Sequence, residues 1–322
     1  MKNKLYMVIP CYNEEEVLGE TIKIISKKMK ELIKNKKINH DSRVLFVNDG
    51  SSDKTWDIIN NASKKDKLFT GISLSRNRGH QNALVAGLLT AKEYADMVIS
   101  MDADMQDDID AIDKMIDEYL KGSEIVYGVR SSRKKDTFFK RFTAQSFYKF
   151  MSKMGVDIIY NHADYRLTSK RVLEEFSNYH EVNLFLRGIF PLIGFKSSIV
   201  LYERGKRLAG ESKYPLGKMI NFAWDGITSF STKPIRMILI LGIIQSILSF
   251  ISFIIFLILN LNTYHTLGIG SIISLIFFLS GIQIFCIGII GEYLGKTYLE
   301  TKKRPRFSID INLLEIANES KN

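Results

Sequence analysis

Residues 96–107 read DMVISMDADMQD, a short apolar run that ends in carboxylate and amide side chains. The run Asp96–Met101 is short and apolar, which predicts a buried strand. Asp102 and Asp104 follow with one residue between them, and Gln106 comes next. Two carboxylates at this spacing can share a hard divalent ion such as Mg²⁺ or Mn²⁺, although solvated acidic loops show the same pattern. The stretch therefore predicts a strand that delivers candidate metal ligands to one edge of a sheet.

Outward from this stretch, the first 130 residues alternate between short apolar runs and amphipathic segments. The apolar runs, predicted as strands, are Leu5–Ile9, Arg43–Val47, Thr70–Leu74, Asp96–Met101 and Glu124–Val129. The segments with apolar residues at helical spacing are Glu15–Asn35, Asp53–Lys65, Gln81–Tyr94 and Ile109–Leu120. This β-α-β-α order predicts an α/β fold, with a mostly parallel, Rossmann-like sheet and helices on both of its faces.

Polar residues follow four of the predicted strands, at 10–14, 48–53, 75–79 and 102–106. Ligands of open α/β sheets collect beyond the carboxyl ends of the strands, so we expect these segments to converge on one rim. Asp49, in the second segment, has two interpretations. Its carboxylate accepts a hydrogen bond from a nucleobase imide, or it orders the turn.

Beyond Arg130 the alternation stops. The residue pattern then predicts, in order, a basic loop over 131–141, an amphipathic helix over 142–154, a polar turn over 161–167 and a strand over 199–204. Tyr214–Ser231 mixes apolar residues with few charges. We interpret it either as an interfacial helix on a bilayer, with Trp224 at headgroup depth, or as a packed helix of the globular domain.

Two long apolar runs, 237–261 and 269–290, fill an interval that has no lysine or arginine between Arg236 and Lys296. Each is long enough to cross a bilayer as a helix, and basic residues flank only the outer ends. The pattern predicts a transmembrane hairpin with both termini in the cytoplasm, the alternative being a buried apolar core. The predicted divisions are a cytosolic domain over 1–213, a juxtamembrane segment over 214–234, the two spans within 235–294 and a cytosolic tail over 295–322.

The formal net charge of the 322-residue chain is +10. Such an excess suits anionic lipid headgroups or phosphorylated substrates, with nucleic acid as the rival partner. The two cysteines, Cys11 and Cys286, cannot form a disulfide framework or a zinc site. The amino-terminal apolar run is too short for a signal peptide.

Six segments occur in the order expected of a known family. They are 10–14 (PCYNE), 47–51 (VNDGS), 75–77 (SRN), 102–107 (DADMQD), 164–167 (DYRL) and 207–213 (RLAGESK). Together they resemble the family 2 glycosyltransferases of GT-A fold, in the branch that glycosylates polyprenyl phosphates. The resemblance covers Leu5 to about Thr297. Asn48 stands where many relatives carry Asp, while Asp49 keeps the position of the base contact.

The resemblance implies a role for each matching residue. Pro10, Tyr12 and Glu14 would line the nucleotide pocket together with Asp49, and the Ala103 backbone would lie beside the ribose. Asp102, Asp104 and Gln106 would hold Mg²⁺ or Mn²⁺ on the donor diphosphate. Arg130 would face the donor sugar or the phosphates, Asp164 would contact the sugar, and Arg207 and Lys213 would clamp phosphate near the membrane.

The implied reaction is inverting transfer of a sugar from a nucleotide sugar to polyprenyl (undecaprenyl) phosphate on the cytoplasmic leaflet. UDP-glucose is the first choice of donor, with other UDP-hexoses and GDP-mannose left open. The implied partners are therefore the nucleotide sugar, the polyprenyl phosphate and membrane lipid, with a homo-oligomer as a further option and no nucleic acid.

Three other functions compete with this interpretation. A processive polysaccharide synthase would share the rim, but its Gln-x-x-Arg-Trp motif is absent, since neither Trp56 nor Trp224 follows an arginine. A P-loop hydrolase would need a lysine where Glu211 stands. A non-enzymatic membrane adaptor would use only the basic surface.

Overall fold

An eight-stranded sheet organises the part of the chain that the structure, a computed structural model, describes. The described residues are 2–131, 154, 159, 162–203, 205, 224–229, 231–260 and 269–319. The strands are β1 (Leu5–Cys11), β2 (Arg43–Asn48), β3 (Phe69–Leu74), β4 (Met97–Ser100), β5 (Ile125–Arg130), β6 (His162–Ser169), β7 (Ser197–Tyr202) and β8 (Ile309–Asn312). The five strands predicted before Arg130 are thus confirmed, with ends that differ by one or two residues.

The helices that pack around the sheet come between the strands. They are α1 (Glu15–Lys34), α2 (Thr55–Lys65), α3 (His80–Lys92), α4 (Ala111–Leu120), α5 (Lys170–Phe176), α6 (Leu186–Ile193) and, at the chain's end, α9 (Leu313–Glu319). Two long apolar helices, α7 (Lys233–Asn260) and α8 (Ile269–Thr301), precede β8. The four amphipathic helices predicted before Arg130 are confirmed.

The strand order is β7-β5-β6-β4-β1-β2-β3-β8. Strands β1 to β4 pair in parallel, as do β5 and β7. The two antiparallel strands among the described residues are β6, which lies between β4 and β5, and β8, which pairs with β3. The predicted α/β fold with a mostly parallel sheet is therefore correct. From β1 the chain adds β2 and β3 on one side, and it then adds β4 on the other side of β1. Ligands of such sheets bind where the strand order reverses, so we expect a crevice at the carboxyl ends of β1 and β4.

Two apolar cores lie on opposite faces of the sheet. One contains Leu18, Ile25 and Met29 of α1 together with Met115 of α4, packed on side chains such as Met7 and Phe46. The other contains residues of α3, α5, α6 and α9, packed on Val8, Leu45 and Val98 among others. Alternate residues of a strand point to opposite faces, so strands covered on both sides must be apolar throughout. This explains the continuous apolar runs that identified them.

The prediction of a polar turn over 161–167 is wrong, because residues 162–169 form β6 in the middle of the sheet. Tyr165 and Leu167 enter the first core, while Arg166 between them packs against Phe190 of the second core. Successive side chains of this strand thus point to opposite faces of the sheet, with Tyr165 and Leu167 on one face and Arg166 on the other. The related prediction of a strand over 199–204 is confirmed with a shift, as β7 covers Ser197–Tyr202.

The segment predicted as a tail, 295–322, returns to the globular unit. Its strand β8 adds to the edge of the sheet, and Leu314 of α9 is buried in the second core. Glu300, near the end of α8, accepts hydrogen bonds from the backbone amides of Val182 and Asn183 at 2.8–2.9 Å. The end of α8 is therefore fixed to the segment between α5 and α6.

One helical segment of the described residues, Phe278–Thr301, is long and apolar enough to cross a membrane by length and composition. Its mean hydropathy is 1.5 and none of it is buried. The residues predicted as the turn of the hairpin, 261–268, lie outside the described part, as do 214–223 of the predicted interfacial segment. The two-span hairpin and the division into domains therefore stay predictions.

Candidate active site

The loops after β1 and β2 are joined at the rim of the sheet. Asn13, whose φ is +52°, donates its backbone amide to the Ser51 hydroxyl at 3.1 Å and accepts from the Ser52 amide at 2.9 Å. The Glu14 amide donates to the Thr55 hydroxyl at 2.9 Å. This network fixes the segment predicted to line the nucleotide pocket. Within that segment, the Tyr12 side chain is exposed and Pro10 is buried in β1.

Asp49 fixes the loop that follows β3. Its carboxylate accepts the backbone amides of Arg78 at 2.7 Å and Gly79 at 2.9 Å, and the residue is only 2 % exposed. Burial raises the pKa of this carboxyl group, an effect that the two amide donors oppose. The geometry agrees with the turn-ordering interpretation, and the contact with a nucleobase stays a prediction.

Gly50 is required where these two loops meet. Its φ is +64°, and a Cβ atom there would lie 2.5 Å from both the Arg76 carbonyl carbon and the Asn77 nitrogen. Any side chain would therefore clash with backbone rather than with a movable group. Asn48, just before it, donates its side-chain amide to the Ser73 hydroxyl at 2.9 Å and is buried. Asn48 thus supports the sheet end from inside.

A chain of acidic and basic side chains crosses the rim from the end of β4 to α6. The His80 Nε2 atom lies 3.7 Å from Asp102 Oδ1 and 3.9 Å from Asp164 Oδ2. On its other side, Asp164 forms an ion pair with Arg187, whose Nη2 and Nε atoms lie 3.1 Å and 3.4 Å from its two oxygens. Four residues from four separate parts of the sequence therefore converge, and two of them, Asp102 and Asp164, were predicted.

The two carboxylates of this chain have opposite pKa shifts. Burial, with Asp164 and Asp104 nearby, raises the pKa of Asp102, although His80 opposes the shift. Burial also disfavours the charged form of Asp164, but the Arg187 guanidinium and His80 outweigh it and hold the pKa of Asp164 well below its usual range. Asp164 is thus held ionised by its partners. Asp102 lies beside other negative charges that a cation would offset.

The loop after β4 holds Asp104 and Ala103 in place. The Thr21 hydroxyl donates to the Ala103 carbonyl at 2.8 Å, and the backbone amide of Gln106 donates to Asp104 Oδ1 at 3.2 Å. The Gly205 amide donates to the Gln106 carbonyl at 2.8 Å. Residue 205, which leads toward the predicted phosphate clamp, therefore lies directly beside the predicted metal loop.

The oxygen ligands at this rim fit a hard divalent ion whose other coordination positions are filled by substrate. No three His, Cys, Asp or Glu side chains form a metal-binding group within the described residues. Carboxylates are nevertheless the preferred protein ligands of Mg²⁺, which normally keeps waters and takes phosphate oxygens for its other positions. Asp102 and Asp104 would supply two such ligands, and the electrostatic repulsion around Asp102 would favour a cation.

The remaining predicted site residues differ in what the structure describes. Arg130 ends β5 opposite Tyr202 of β7, whose hydroxyl donates to the buried Asp107. The Arg130 Nε atom is buried and has no hydrogen-bond partner in the described part of the chain. Arg207 and Lys213 lie outside the described residues. Their role in holding phosphate stays a prediction.

The sequence prediction missed His80 and Arg187. His80 begins α3 and directly follows the rim segment 75–79, so extending that segment by one residue would have included it. Arg187 had no such signal. It enters the site because the Leu186 amide donates to the Gln81 side chain at 2.9 Å, which joins the start of α6 to the start of α3.

Two basic side chains of β6, Arg166 and His162, are buried near Asp164 and Arg187. The Arg166 guanidinium lies 3.4 Å from the Phe190 ring centroid, and its nitrogens have no hydrogen-bond partner among the described residues. Burial lowers its pKa to about 10. His162, which is also buried, donates or accepts at Nδ1 with the Ile159 carbonyl at 3.0 Å. Burial, with Arg187 and Arg166 nearby, lowers the pKa of His162 to about 4.

We expect this histidine to make folding sensitive to acid. Between about pH 6.5 and about pH 4 the unfolded chain binds a proton at His162 and the folded chain does not, so stability is full above this window and falls as the pH decreases through it. The loss should reach about 3 kcal/mol, at 1.36 kcal/mol for each pH unit. Thermal unfolding in detergent should show a flatter pH dependence in His162→Gln. The exposed His40→Gln control should keep the wild-type slope, and equal slopes in all three proteins would contradict the assignment.

Comparison with known proteins shows the family of this chain. The profile of Glycosyl transferase family 2 matches residues 6–177. An uncharacterized glycosyltransferase of Bacillus subtilis, YkoT, is 53% identical over 96% of this chain and 92% of its own length. The bactoprenol glucosyl transferase of Shigella phage SfX is 38% identical over 95% of this chain and 98% of its own.

Among solved structures, the mannosyltransferase PcManGT from Pyrobaculum calidifontis, in complex with GDP-Man and Mn²⁺, resembles 93% of this chain and 87% of its own. Its sequence identity is 13% and its TM-score 0.42. The family profile matches more than half of the chain, and the two relatives match nearly all of it. This chain belongs to glycosyl transferase family 2 and is a glycosyltransferase with a GT-A-like α/β fold.

Proposed function

We propose that this glycosyltransferase transfers a hexose from a UDP-hexose, with UDP-glucose as the first choice, to polyprenyl phosphate in one inverting displacement. The observation that carries the proposal is the convergence of Asp102, His80, Asp164 and Arg187 at the crevice between β1 and β4. The names of full-length relatives, which include bactoprenol glucosyl transferases, support the choice of acceptor.

The metal implied by the donor set would be held by Asp102 and Asp104, with Gln106 next in the loop. When bound, a divalent ion supplies Lewis-acid stabilisation of the departing nucleoside diphosphate. The protein's own contribution is placement. Hydrogen bonds from Thr21 and Gln106 fix the loop that carries both carboxylates, so their positions are set before the donor binds.

The acceptor requires little help to become a nucleophile. A phosphate monoester is largely dianionic at neutral pH because its second pKa is about 6. A strong general base is therefore unnecessary, and positioning against the anionic donor is the main requirement. Asp164, kept ionised by Arg187, is suited to accept hydrogen bonds from sugar hydroxyls rather than to donate a proton.

The proposal is tested by the lipid-linked product. Purified full-length protein in detergent would be incubated with undecaprenyl phosphate, Mg²⁺ or Mn²⁺, and in turn UDP-glucose, UDP-galactose, UDP-N-acetylglucosamine and GDP-mannose. Mass spectrometry should detect undecaprenyl-phosphate hexose with a UDP-hexose and none without the lipid. Product from GDP-mannose alone would reject the donor, and transfer only to soluble acceptors would reject the acceptor.

Arg207 and Lys213 are proposed to clamp the acceptor phosphate. Replacing either with Ala should weaken use of the lipid by about 1.5–3 kcal/mol, which is typical of a hydrogen bond to a charged group. Hydrolysis of the donor by water should decrease less. Parallel assays of transfer and hydrolysis measure the difference, with Lys206→Ala as a neighbouring control. Equal losses in both assays would indicate that the two residues hold the donor.

We further propose that α7 and α8 cross the membrane as a hairpin and hold the active site at the cytoplasmic surface. Large apolar side chains on both helices are exposed, among them Ile243, Ile247, Phe285 and Ile287, each at 52–67 %. Apolar surface of this extent is expected to face lipid or another protein. A cytoplasmic site would also face the pool of nucleotide sugars.

The topology predicts that Asn262–Thr266 lies on the far side of the membrane and that both termini are cytoplasmic. In a Cys11→Ala, Cys286→Ala background, Thr263→Cys should react with an impermeant thiol reagent in intact cells. Ser320→Cys should react only after lysis. Labelling of Ser320→Cys in intact cells, or protection of both positions, would contradict the hairpin.

A further inference from the structure

A basic cleft of about 580 Å³ lies between the loop after β3 and the segment after α8. Each side contributes two arginines, Arg76 and Arg78 from the loop, and Arg304 and Arg306 from the segment. Asn77, Gly79, Asn82, Val182 and Pro305 complete its lining. Residues more than 200 positions apart in sequence thus meet around one opening.

Within the described residues, none of the four guanidinium groups forms a salt bridge, and the Arg78 Nε atom is buried without a hydrogen-bond partner. Arg306 donates to the Tyr179 carbonyl, and burial lowers its pKa while the charges of Glu181 and Glu300 oppose the shift. Glu300 already accepts the amides of Val182 and Asn183. The four arginines outnumber the three carboxylates that interact with them electrostatically, Asp49 with Arg78 and Glu181 and Glu300 with Arg306, so the cleft keeps a net positive charge.

The backbone adds to this positive field. The 13-residue helix α3 begins beside the cleft, at His80, and its first turn carries no acidic residue. The amino end of a helix has a partial positive charge. Asn82 donates its side-chain amide to the Arg78 carbonyl at 2.8 Å, which holds the loop against the helix. Asp49 already accepts the Arg78 and Gly79 amides that precede α3, so the arginine side chains supply most of the positive charge available to an anion in the cleft.

We propose that this cleft binds a phosphate group, supplied by the headgroup of an anionic membrane lipid. Arginine forks match phosphate oxygens in geometry and charge. The choice of a lipid over a soluble phosphate follows from position, because Arg304 comes three residues after the apolar segment Phe278–Thr301 ends, and this part rests on the proposed membrane insertion. Occupation would hold the β3 loop, and with it the Asp49 contact, at a fixed height above the bilayer.

Binding can be measured without the transfer reaction. Full-length protein in detergent would be titrated with dioctanoyl phosphatidylglycerol, with zwitterionic dioctanoyl phosphatidylcholine as the comparison, and native mass spectrometry would report occupancy. Phosphatidylglycerol should bind more tightly. Arg76→Gln and Arg304→Gln should each raise its Kd about tenfold or more, as expected when a charged hydrogen bond is lost. Both side chains are exposed, so thermal unfolding should be unchanged.

Lys302→Gln and Lys303→Gln provide the matched control, since they remove the same charge beside the same helix end but do not line the cleft. Their Kd should stay at the wild-type value. Equal weakening by the lysine variants would overturn the proposal, as would unchanged binding in the arginine variants. Competition by inorganic phosphate or UDP, lost in Arg304→Gln, would support the phosphate site and assign it a soluble source. Each result is independent of whether transfer to polyprenyl phosphate occurs.

Discussion

Replacing Asp102 or Asp104 with Asn should reduce sugar transfer on the order of a thousandfold, because a metal Lewis acid contributes several kcal/mol and each 1.36 kcal/mol is a factor of ten in rate. Asn keeps the size of the side chain and removes the charge that would hold a divalent ion. The fold should be unaffected, since Asp102 is partly exposed at the rim and its removal relieves repulsion from Asp104 and Asp164. Initial rates of lipid-linked product, with and without chelator, measure the effect.

Asp108→Asn is the matched control for this pair. Asp108 belongs to the same acidic stretch, but its carboxylate accepts the Asp110 amide at 2.9 Å, ahead of α4. Its loss should therefore cost only a helix-end interaction, typically about 1 kcal/mol of stability, and leave transfer intact. Wild-type transfer in excess chelator, or equal losses in all three variants, would show that Asp102 and Asp104 are not metal ligands.

The sequence was most informative where strands are covered on both faces. Runs such as Arg43–Val47 must be apolar throughout when helices pack on either side, so their positions and parallel order followed from composition alone. The motif at 102–106 could then be assigned to the rim, because polar residues after such a strand have only the carboxyl edge to occupy.

The two antiparallel strands, β6 and β8, could not be predicted in this way. In β6, Tyr165 and Leu167 face one core while the buried Arg166 faces the other, so the segment has the alternation of a strand but the polarity of a turn. Strand β8 has only four residues, largely exposed at the sheet edge, and its partner β3 lies more than 200 residues earlier. Neither local propensity nor periodicity reports a pairing of that separation.

The residues of the candidate site also differ in how far the sequence could identify them. Asp102, Asp104 and Asp164 occur in recognisable motifs, whereas Arg187 is defined only by its contact with Asp164. A lone arginine in the first turn of a short apolar helix has no pattern that distinguishes it from a surface residue. Its role could be assigned only from the distances of 3.1 Å and 3.4 Å to the Asp164 carboxylate.

Removing that partner should therefore be costly. Arg187→Gln leaves the largely buried Asp164 carboxylate without its main counter-charge, so we expect transfer to fall about ten- to a hundredfold, in line with 1.5–3 kcal/mol for a charged hydrogen bond. The fall should appear mainly in kcat if Asp164 contacts the sugar more strongly in the transition state than in the ground state. Steady-state kinetics with UDP-glucose and undecaprenyl phosphate separate kcat from KM.

Two further variants distinguish positioning from simple structural support. Arg187→Lys keeps the charge but loses the paired geometry of the guanidinium, so it should restore part of the activity. Arg171→Gln removes an exposed arginine, 3.6 Å from Glu124, and should change neither rate nor unfolding temperature. Wild-type kcat in Arg187→Gln would show that Asp164 needs no ion pair. A loss of kcat with an unchanged unfolding temperature, partly restored by lysine, would instead assign Arg187 the task of keeping the Asp164 carboxylate charged and aimed at the sugar.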